Sequence, residues 1–350
     1  MDAARKMAIN VVTWNSQDFL RGFLSSAAAQ DSNDFSLAVV DNASTDGTVN
    51  WLRAEHPEIT VLRNFRNLGF ARAHNQAIEL ALSRWAGENL QERFIMVANP
   101  DLELAPNTIR LILAFMSAYP EVDICGPKLL RIFLKPDASL DECEAVRSNI
   151  IDSMGLVINR ARRVVDRGAG EEDRGQYNEA AQVFGLSGAC VVFRASALAH
   201  AKLSGEYFDE DFFAYKEDVD LAWRMQRLGL GAYYLPSATV WHHRHVPAAP
   251  TAGWFRAWRN RRQKSPRINY WSSRNHAWLL IKNDEWLNLL WHSPWWLPYE
   301  TLKLAACLFS WSDLKGHAAA LRGLPRMFKK RSELAGRAKV KGAAMRQWFV

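Results

Sequence analysis

Short β-rich runs and helical patterns take turns through the first 130 residues, and this alternation narrows the fold more than any other feature of the chain. Ile9 to Thr13 reads as a strand, followed by helical periodicity from Asp18 to Gln30 with Ser16 placed to cap it. Phe35 to Val40 is a second strand. It runs into Asp41, Asn42, Ser44, Asp46 and Gly47, loop chemistry in which short polar side chains bond nearby backbone, before a helix through Trp51 and Leu52. A strand at Thr60 to Leu62, a long helix from Phe70 to Trp85 and a strand at Phe94 to Ala98 continue the pattern. That fourth strand stops at Asn99-Pro100-Asp101, and Pro106 stands where a first-turn proline opens a helix running to Tyr119. The expectation is an α/β fold around a mostly parallel, doubly wound sheet.

Residues 134–182 break the rhythm; polar, with glycines and arginines, they read as a long loop or lid. Regular structure resumes with a strand over Gly185 to Phe193, whose small residues permit close backbone approach. A short helix near Ser196 to Lys202 follows, then an aromatic and acidic stretch from Phe208 to Lys216 and a helix opening at Glu217. A strand pattern returns at Gly231 to Leu235.

Charge divides the chain. Residues 251–350 hold 19 Lys/Arg against 5 Asp/Glu together with 10 of the 15 Trp, while residues 1–250 carry a net charge of −7. An acidic body, residues 1–245, is thus joined to a basic, Trp-rich helical region, residues 246–350, and the two face different partners. Cys125, Cys143, Cys190 and Cys307 form no C-x-x-C pair, which disfavours a zinc or redox motif and fits a reducing compartment. The N-terminus lacks the apolar core and cleavage site of a signal peptide. Trp286 to Trp311 is interrupted by His292, Pro294, Pro298, Glu300 and Lys303, too often for a spanning helix.

Polar residues at the carboxyl ends of parallel strands face the ligand crevice of an open α/β sheet, and Asp41 and Asp101 hold two such ends. Either alone serves equally well as a strand terminator; the ensemble points to a site. Glu217, Asp218 and Asp220 crowd one helix start. The helix dipole accounts for acids there at ~0.3–1 kcal/mol each, but three acids behind an aromatic run also suit a general base. His242, His243 and His245 form a third cluster, either solvated or, with Asp101, able to hold a divalent ion on diphosphate oxygens. Mg²⁺ or Mn²⁺ suits such an oxygen-rich site better than Zn²⁺. The chain has no G-x-G-x-x-G after its first strand, no P-loop and no G-x-S-x-G elbow, which disfavours nicotinamide oxidoreductases, P-loop NTPases and α/β-hydrolases.

Val11-Val12-Thr13-Trp14-Asn15, the Val39 to Gly47 run, Asn67-Leu68-Gly69-Phe70 through Asn75, Asn99-Pro100-Asp101, Ser187-Gly188-Ala189 and Glu217-Asp218 through Arg224 occur in that order. Together they resemble the family 2 glycosyltransferases of GT-A fold, and within them the rhamnosyltransferase-like branch of bacterial surface-polysaccharide synthesis. The resemblance covers residues 7–245. It implies a Rossmann-like sheet with flanking helices and inverting transfer of one sugar from a nucleotide diphosphate donor, dTDP-rhamnose first and a UDP-sugar (galactofuranose or another hexose) as the alternative. It places Thr13, Asn15, Asp41, Asn42, Ser44, Asn67, Gly69, Phe70, Asn75 and Asn99 around the nucleotide, with Asp101 and His242 on Mg²⁺ or Mn²⁺. Asp218 becomes the general base beside Glu217, and Ser187, Gly188, Trp223 and Arg224 meet the acceptor. Asn99 replaces the first acid of the family's D-x-D, which removes one negative metal ligand. The processive synthases' Q-x-x-R-W is missing, so one addition per encounter is expected.

Trp254 to Arg262, Tyr270 to Lys282, and then Trp291, Trp295, Trp296 and Tyr299 put aromatics and cations at helical spacings. Such a tail suits an anionic membrane surface and a polyprenyl-diphosphate-linked glycan or polysaccharide acceptor, the enzyme lying peripherally on the cytoplasmic face. A helical subdomain packed on the body, or a homo-oligomer contact, is the plainer reading. Arg interleaved with Trp also suits nucleic acid, but the acidic body disfavours a polyanion there.

Overall fold

The computed structural model describes residues 5–136, 143–243, 265–307 and 310–350. Strands β1 (Met7–Thr13), β2 (Phe35–Asp41), β3 (Thr60–Arg63) and β4 (Phe94–Ala98) alternate with helices α1 (Gln17–Ala28), α2 (Thr48–Glu55) and α3 (Gly69–Arg84). They lie parallel in the order β4-β1-β2-β3. The central strands β1 and β4, buried on both faces, segregate their side chains with period two, while β3 forms the half-exposed edge. Phe94, Met96 and Ala98 of β4 join a core with Leu20, Phe23, Trp51 and Leu52, while Ile95 and Val97 join the opposite core with Ala71, Ile78 and Ala81.

After β4 come β5 (Leu102–Leu104), α4 (Thr108–Ala118), β6 (Val122–Pro136), β7 (Cys143–Ser153), β8 (Leu156–Ile158), β9 (Val164–Asp166), β10 (Ala181–Val183) and β11 (Cys190–Arg194). α5 (Ala195–Ala201), α6 (Glu217–Arg227) and β12 (Gly231–His242) complete the body. β11 runs antiparallel to both β4 and β6, and β12 runs parallel to β6, so the ten-stranded sheet is mixed beyond β4.

Several elements differ from the sequence reading. Much of 134–182 is strand: β7 pairs antiparallel with the long β6, and β8 pairs with β9. The polar residues that suggested a loop alternate along β7, Ala145, Arg147 and Asn149 outward and Val146, Ser148 and Ile150 half-buried, which is the signature of a one-sided hairpin. Residues 137–142 lie outside the described residues. The strand expected over 185–193 begins only at Cys190: Gly185 packs on Ala222 and makes a single bridge to Leu156, whose N–H its carbonyl accepts at 2.8 Å, and Gly188 packs on Asp218. α4 starts at Thr108 rather than Pro106. Ser16 does not cap α1, since its Oγ donates to the Trp14 carbonyl; Asp46 of the neighbouring loop accepts the Gln17 N–H at 3.1 Å.

The C-terminal region contains α7 (Pro266–Asn283), α8 (Trp286–Trp291), α9 (Ser293–Cys307), α10 (Trp311–Arg322) and α11 (Leu324–Arg337). Its core is shared with the body: Trp278, Leu279, Ala320, Met327 and Phe349 pack with Leu156, Phe184, Phe212 and Trp223. A buried ion network fastens it further. Lys282 Nζ donates to Asp209 at 2.6 Å and Asp220 at 2.7 Å, and Lys330 Nζ donates to Asp209 at 2.6 Å. Two buried lysines among these acids are tolerated because each finds charged partners at hydrogen-bond distance. Cys125, Cys190 and Cys307 are buried, and Cys307 Sγ lies 3.4 Å from His317 Nε2.

Candidate active site

A cavity of about 750 Å³ opens at the carboxyl ends of β1, β2 and β4. Thr13, Asn15, Asn42, Asn67, Gly69, Phe70, Asn99 and Asp101 line it, joined by Phe213, Ala214, Tyr215 and, from the start of α7, Arg267, Ile268 and Trp271. Eight of the residues singled out in the sequence thus meet in one place, as the strand-end rule requires.

The rim is locked by its own side chains. The Asn42 amide donates to the Gly69 carbonyl at 3.1 Å, and Asn67 Oδ1 accepts the Gly69 N–H at 2.9 Å. Asn15, in left-handed backbone at φ 50, accepts the Thr45 N–H at 2.7 Å, while Ser44 Oγ accepts the Asn15 N–H. Asp41 is fully buried and accepts the Ser44 N–H, so it shapes the loop beneath the cavity rather than lining it. Thr13 Oγ1 is buried at the cavity wall without a hydrogen-bond partner. Gly69 has φ +83, and a Cβ there would strike the Phe213 carbonyl and ring. Only glycine lets α3 begin against the 208–216 segment, whose Phe213 carbonyl accepts the Phe70 N–H at 2.7 Å.

Asn75 lies away from the cavity. Its amide donates to the Phe208 carbonyl and its Oδ1 accepts the Phe208 N–H, both at 2.8 Å, clamping the same segment. That segment holds Phe213, Tyr215 and Lys216 at positive φ. Such strain persists only where surroundings over-determine it. Here Asn275 of α7 does so, donating to the carbonyls of Phe212, Ala214 and Tyr215, while the Arg274 guanidinium bonds those of Asp211 and Phe212. Trp271 stacks on Phe213 with ring centroids 4.9 Å apart.

The pairing of β5 with β12 sets His242 opposite Leu102 and so beside Asp101. His242 Nε2 lies 3.4 Å from Asp101 Oδ1, outside hydrogen-bond geometry, and that buried oxygen has no donor. On its other side His242 Nδ1 meets Asp152 of β7 at 2.8 Å, and Arg131 in turn approaches Asp152 at 3.3 Å. Burial alone would lower the His242 pKa, but the flanking Asp101 and Asp152 carboxylates outweigh it and lift it to about 9. Asp101 Oδ1 and His242 Nε2, the latter once deprotonated, are the two groups here that could ligate a divalent ion, with Asp152 orienting the ring from behind. Among the described residues no cluster of three or more ligating side chains is formed. His243 turns to Glu103 at 3.3 Å, and His245 lies outside the described residues. Asp152 was missed in the sequence because it sits in an unremarkable strand reached only through the hairpin.

Asp218 and Glu217 do not line the large cavity. Asp218 is half-buried, its carboxylate accepting the Gly188 N–H at 3.0 Å and the Val219 N–H at 2.8 Å, and Phe70 lies between Gly188 and the cavity. Ser187 Oγ accepts the Ala189 N–H alongside. Glu217 is buried with Oε2 unpartnered, and burial, reinforced by the nearby Asp218 and Asp220, pushes its pKa up to about 8. Trp223 and Arg224 correct the acceptor-binding expectation. Trp223 is fully buried against Phe184 and Phe349, and the buried Arg224 guanidinium bonds the carbonyls of Ala201, Glu206 and Tyr207. Every residue of α6 except the half-buried Asp218 is buried, so this pair sits inside the molecule.

Strand-end asparagines, with a carboxylate and a histidine beside them, thus rim one cavity of a mixed sheet with the GT-A architecture. The sequence profile of Glycosyl transferase family 2 matches residues 8–200, and the chain belongs to that family. It is 32% identical over 242 residues to an N-acetylglucosaminyl-diphospho-decaprenol L-rhamnosyltransferase of Mycobacterium tuberculosis, an alignment covering 68% of this chain and 76% of that protein. A low-salt glycan biosynthesis hexosyltransferase, Agl10 of Haloferax volcanii, is 21% identical over 221 residues, covering 63% of this chain and 62% of the relative. The crystal structure of GalNAc-T7 with UDP, GalNAc and Mn²⁺ superposes with a TM-score of 0.56 at 10% identity, over 81% of this chain. The chain spans about half (48%) of that structure's length, and the likeness is one of fold.

Proposed function

We propose that the enzyme transfers one L-rhamnosyl unit, with inversion, from dTDP-rhamnose to a polyprenyl-diphosphate-linked N-acetylglucosamine acceptor in cell-surface glycan synthesis. The observation that carries the sugar and the acceptor is the 32% identity to the mycobacterial rhamnosyltransferase across two thirds of the chain. The cavity supports the donor. Thr13, Asn15, Asn42, Asn67 and Asn99 offer neutral hydrogen-bonding groups to a nucleotide, and Phe213, Tyr215 and Trp271 offer aromatic faces to a sugar.

Asp101 and His242 would hold Mg²⁺ or Mn²⁺, which would supply Lewis-acid stabilisation of the departing nucleotide. Asp152 keeps the His242 ring turned so that Nε2 faces Asp101. With Asn in place of an acid at position 99, this site carries less negative charge than a D-x-D pair. Asp218 takes the acceptor hydroxyl proton as that oxygen attacks the anomeric carbon, a role that requires the Phe70 ring, which walls the cavity beside it, to swing aside. Two backbone N–H donors aim its carboxylate. Ser187 and Gly188 flank the acceptor's approach.

Glu217, buried and protonated at neutral pH, supports the base from behind and does not itself take the proton. A UDP-sugar as donor is the second reading. Calorimetric titration with dTDP, UDP and GDP, with and without Mn²⁺, tests the assignment. Selective, metal-strengthened dTDP binding is expected; preference for UDP would move the donor to the second reading. Asp218→Asn should bind the nucleotide as wild type does and lose nearly all transfer.

A further inference from the structure

Two of the C-terminal helices are inside out. On α8, Trp286, Leu287, Leu290 and Trp291 are 56 to 70% exposed, while the polar Asn288 points inward, its amide donating to the Gly342 carbonyl. On α9, Pro294, Leu297, Pro298, Thr301, Leu302 and Ala305 are all exposed, a stripe at i, i+3, i+4, i+7, i+8 and i+11. The charged residues of α9 face the body: Glu300 accepts from His276 Nε2 of α7 at 2.7 Å and from Lys303 at 3.0 Å. From Trp286 to Ala305 no exposed side chain is charged. A soluble helix places its apolar stripe on the core; here the stripe has been left facing outward along both helices.

Cations frame this face. Arg331 stacks on Trp286 at 4.4 Å, Arg346 on Trp291 at 4.6 Å, Arg160 on Trp295 at 5.2 Å and Arg163 faces Tyr299 at 5.6 Å. Exposed Trp and Leu bordered by Arg match the interfacial zone of an anionic bilayer, apolar inward and basic at headgroup level. Among the described residues no helix is long and apolar enough to cross a membrane.

We propose that the outward face of α8 and α9 lies in the surface of an anionic phospholipid bilayer and docks the enzyme there. This deepens the functional reading, which requires an acceptor anchored in lipid. The location follows: α9 is tied through Glu300 to His276 on α7, the helix whose first turns, at Arg267, Ile268 and Trp271, wall the cavity. It also redistributes the tail's aromatics. Trp271 and Trp278 turn to the body, so the lipid face is Trp286, Trp291 and Trp295. Trp254 and Trp258 lie outside the described residues.

The test is flotation of the full-length protein with vesicles of phosphatidylcholine alone and of phosphatidylcholine with phosphatidylglycerol. Wild type should float with the anionic vesicles, less with the neutral ones, and less as salt rises. The double variant Leu290→Glu/Leu297→Glu changes only exposed positions; with an unaltered circular dichroism spectrum and melting midpoint, it should partition at least about tenfold more weakly. Wild type failing to float, or the variant floating equally, overturns the proposal. Loss in the variant of a wild-type dimer that never binds vesicles assigns the face to a second copy and also overturns it. Flotation needs no turnover, so binding without sugar transfer would refute the functional reading alone.

Discussion

Replacing Glu217 by Gln should change how stability depends on pH, and the sign is fixed by where the carboxyl sits. The side chain is buried, Oε2 has no hydrogen-bond partner, and Asp218 and Asp220 stand nearby. Burial first, then those two charges, lifts its pKa from 4.5 to about 8. The folded state therefore keeps a proton that the unfolded chain releases above about pH 4.5. The stabilising contribution is complete below that value and is lost as pH rises through about 8. At about 1.4 kcal/mol per unit, the interval sets a ceiling of about 5 kcal/mol on the loss. Gln keeps the shape and never ionises.

Urea unfolding of both proteins from pH 5 to 9 is the assay. Groups common to both, His242 included, cancel in the difference. Glu217→Gln should gain steadily on wild type as pH rises and level off above pH 8. A difference that stays flat would mean that Glu217 is ionised in the native protein, and the account of its burial would be wrong.

Further outcomes follow from the same geometry. Asp152→Asn should weaken Mn²⁺ binding in the presence of nucleotide by about 10- to 100-fold, read by electron paramagnetic resonance of the free ion; unchanged affinity would remove Asp152 from its role behind His242. Gly69→Ala forces a Cβ into the Phe213 backbone at positive φ and should cost at least about 2 kcal/mol in chemical denaturation; a neutral effect would mean that the two segments part freely. Trp223→Ala should destabilise by about 3–5 kcal/mol while the folded fraction keeps its donor KM, since the ring is core; a selective loss of acceptor binding would restore the ligand role.

Much of the site was legible in the sequence because parallel strands deliver their carboxyl ends to one edge. Thr13, Asn42, Asn99 and Asp101 follow apolar runs, and the sheet brings them together with no further information. What depended on long-range packing was not legible. Asp152 reaches His242 only through the β6-β7 hairpin, and one-sided strands rich in Arg, Asn and Ser resemble loops when the partner strand is unknown. Trp223 and Arg224 carried a family motif, yet the facing of α6 is decided by the core that the C-terminal helices complete. The tail's Trp content announced amphipathic helices, but which rings face inward depends on where α7 lands, and Trp271 became a cavity wall.

The central claim is the transfer itself. Purified protein is incubated with dTDP-L-rhamnose, Mn²⁺ and a prenyl-diphosphate N-acetylglucosamine acceptor in anionic vesicles, and the lipid product is read by mass spectrometry. The account predicts an acceptor heavier by one deoxyhexose, formed by wild type and absent with Asp218→Asn. An unmodified acceptor with dTDP-rhamnose, alongside efficient transfer from a UDP-sugar, would contradict it.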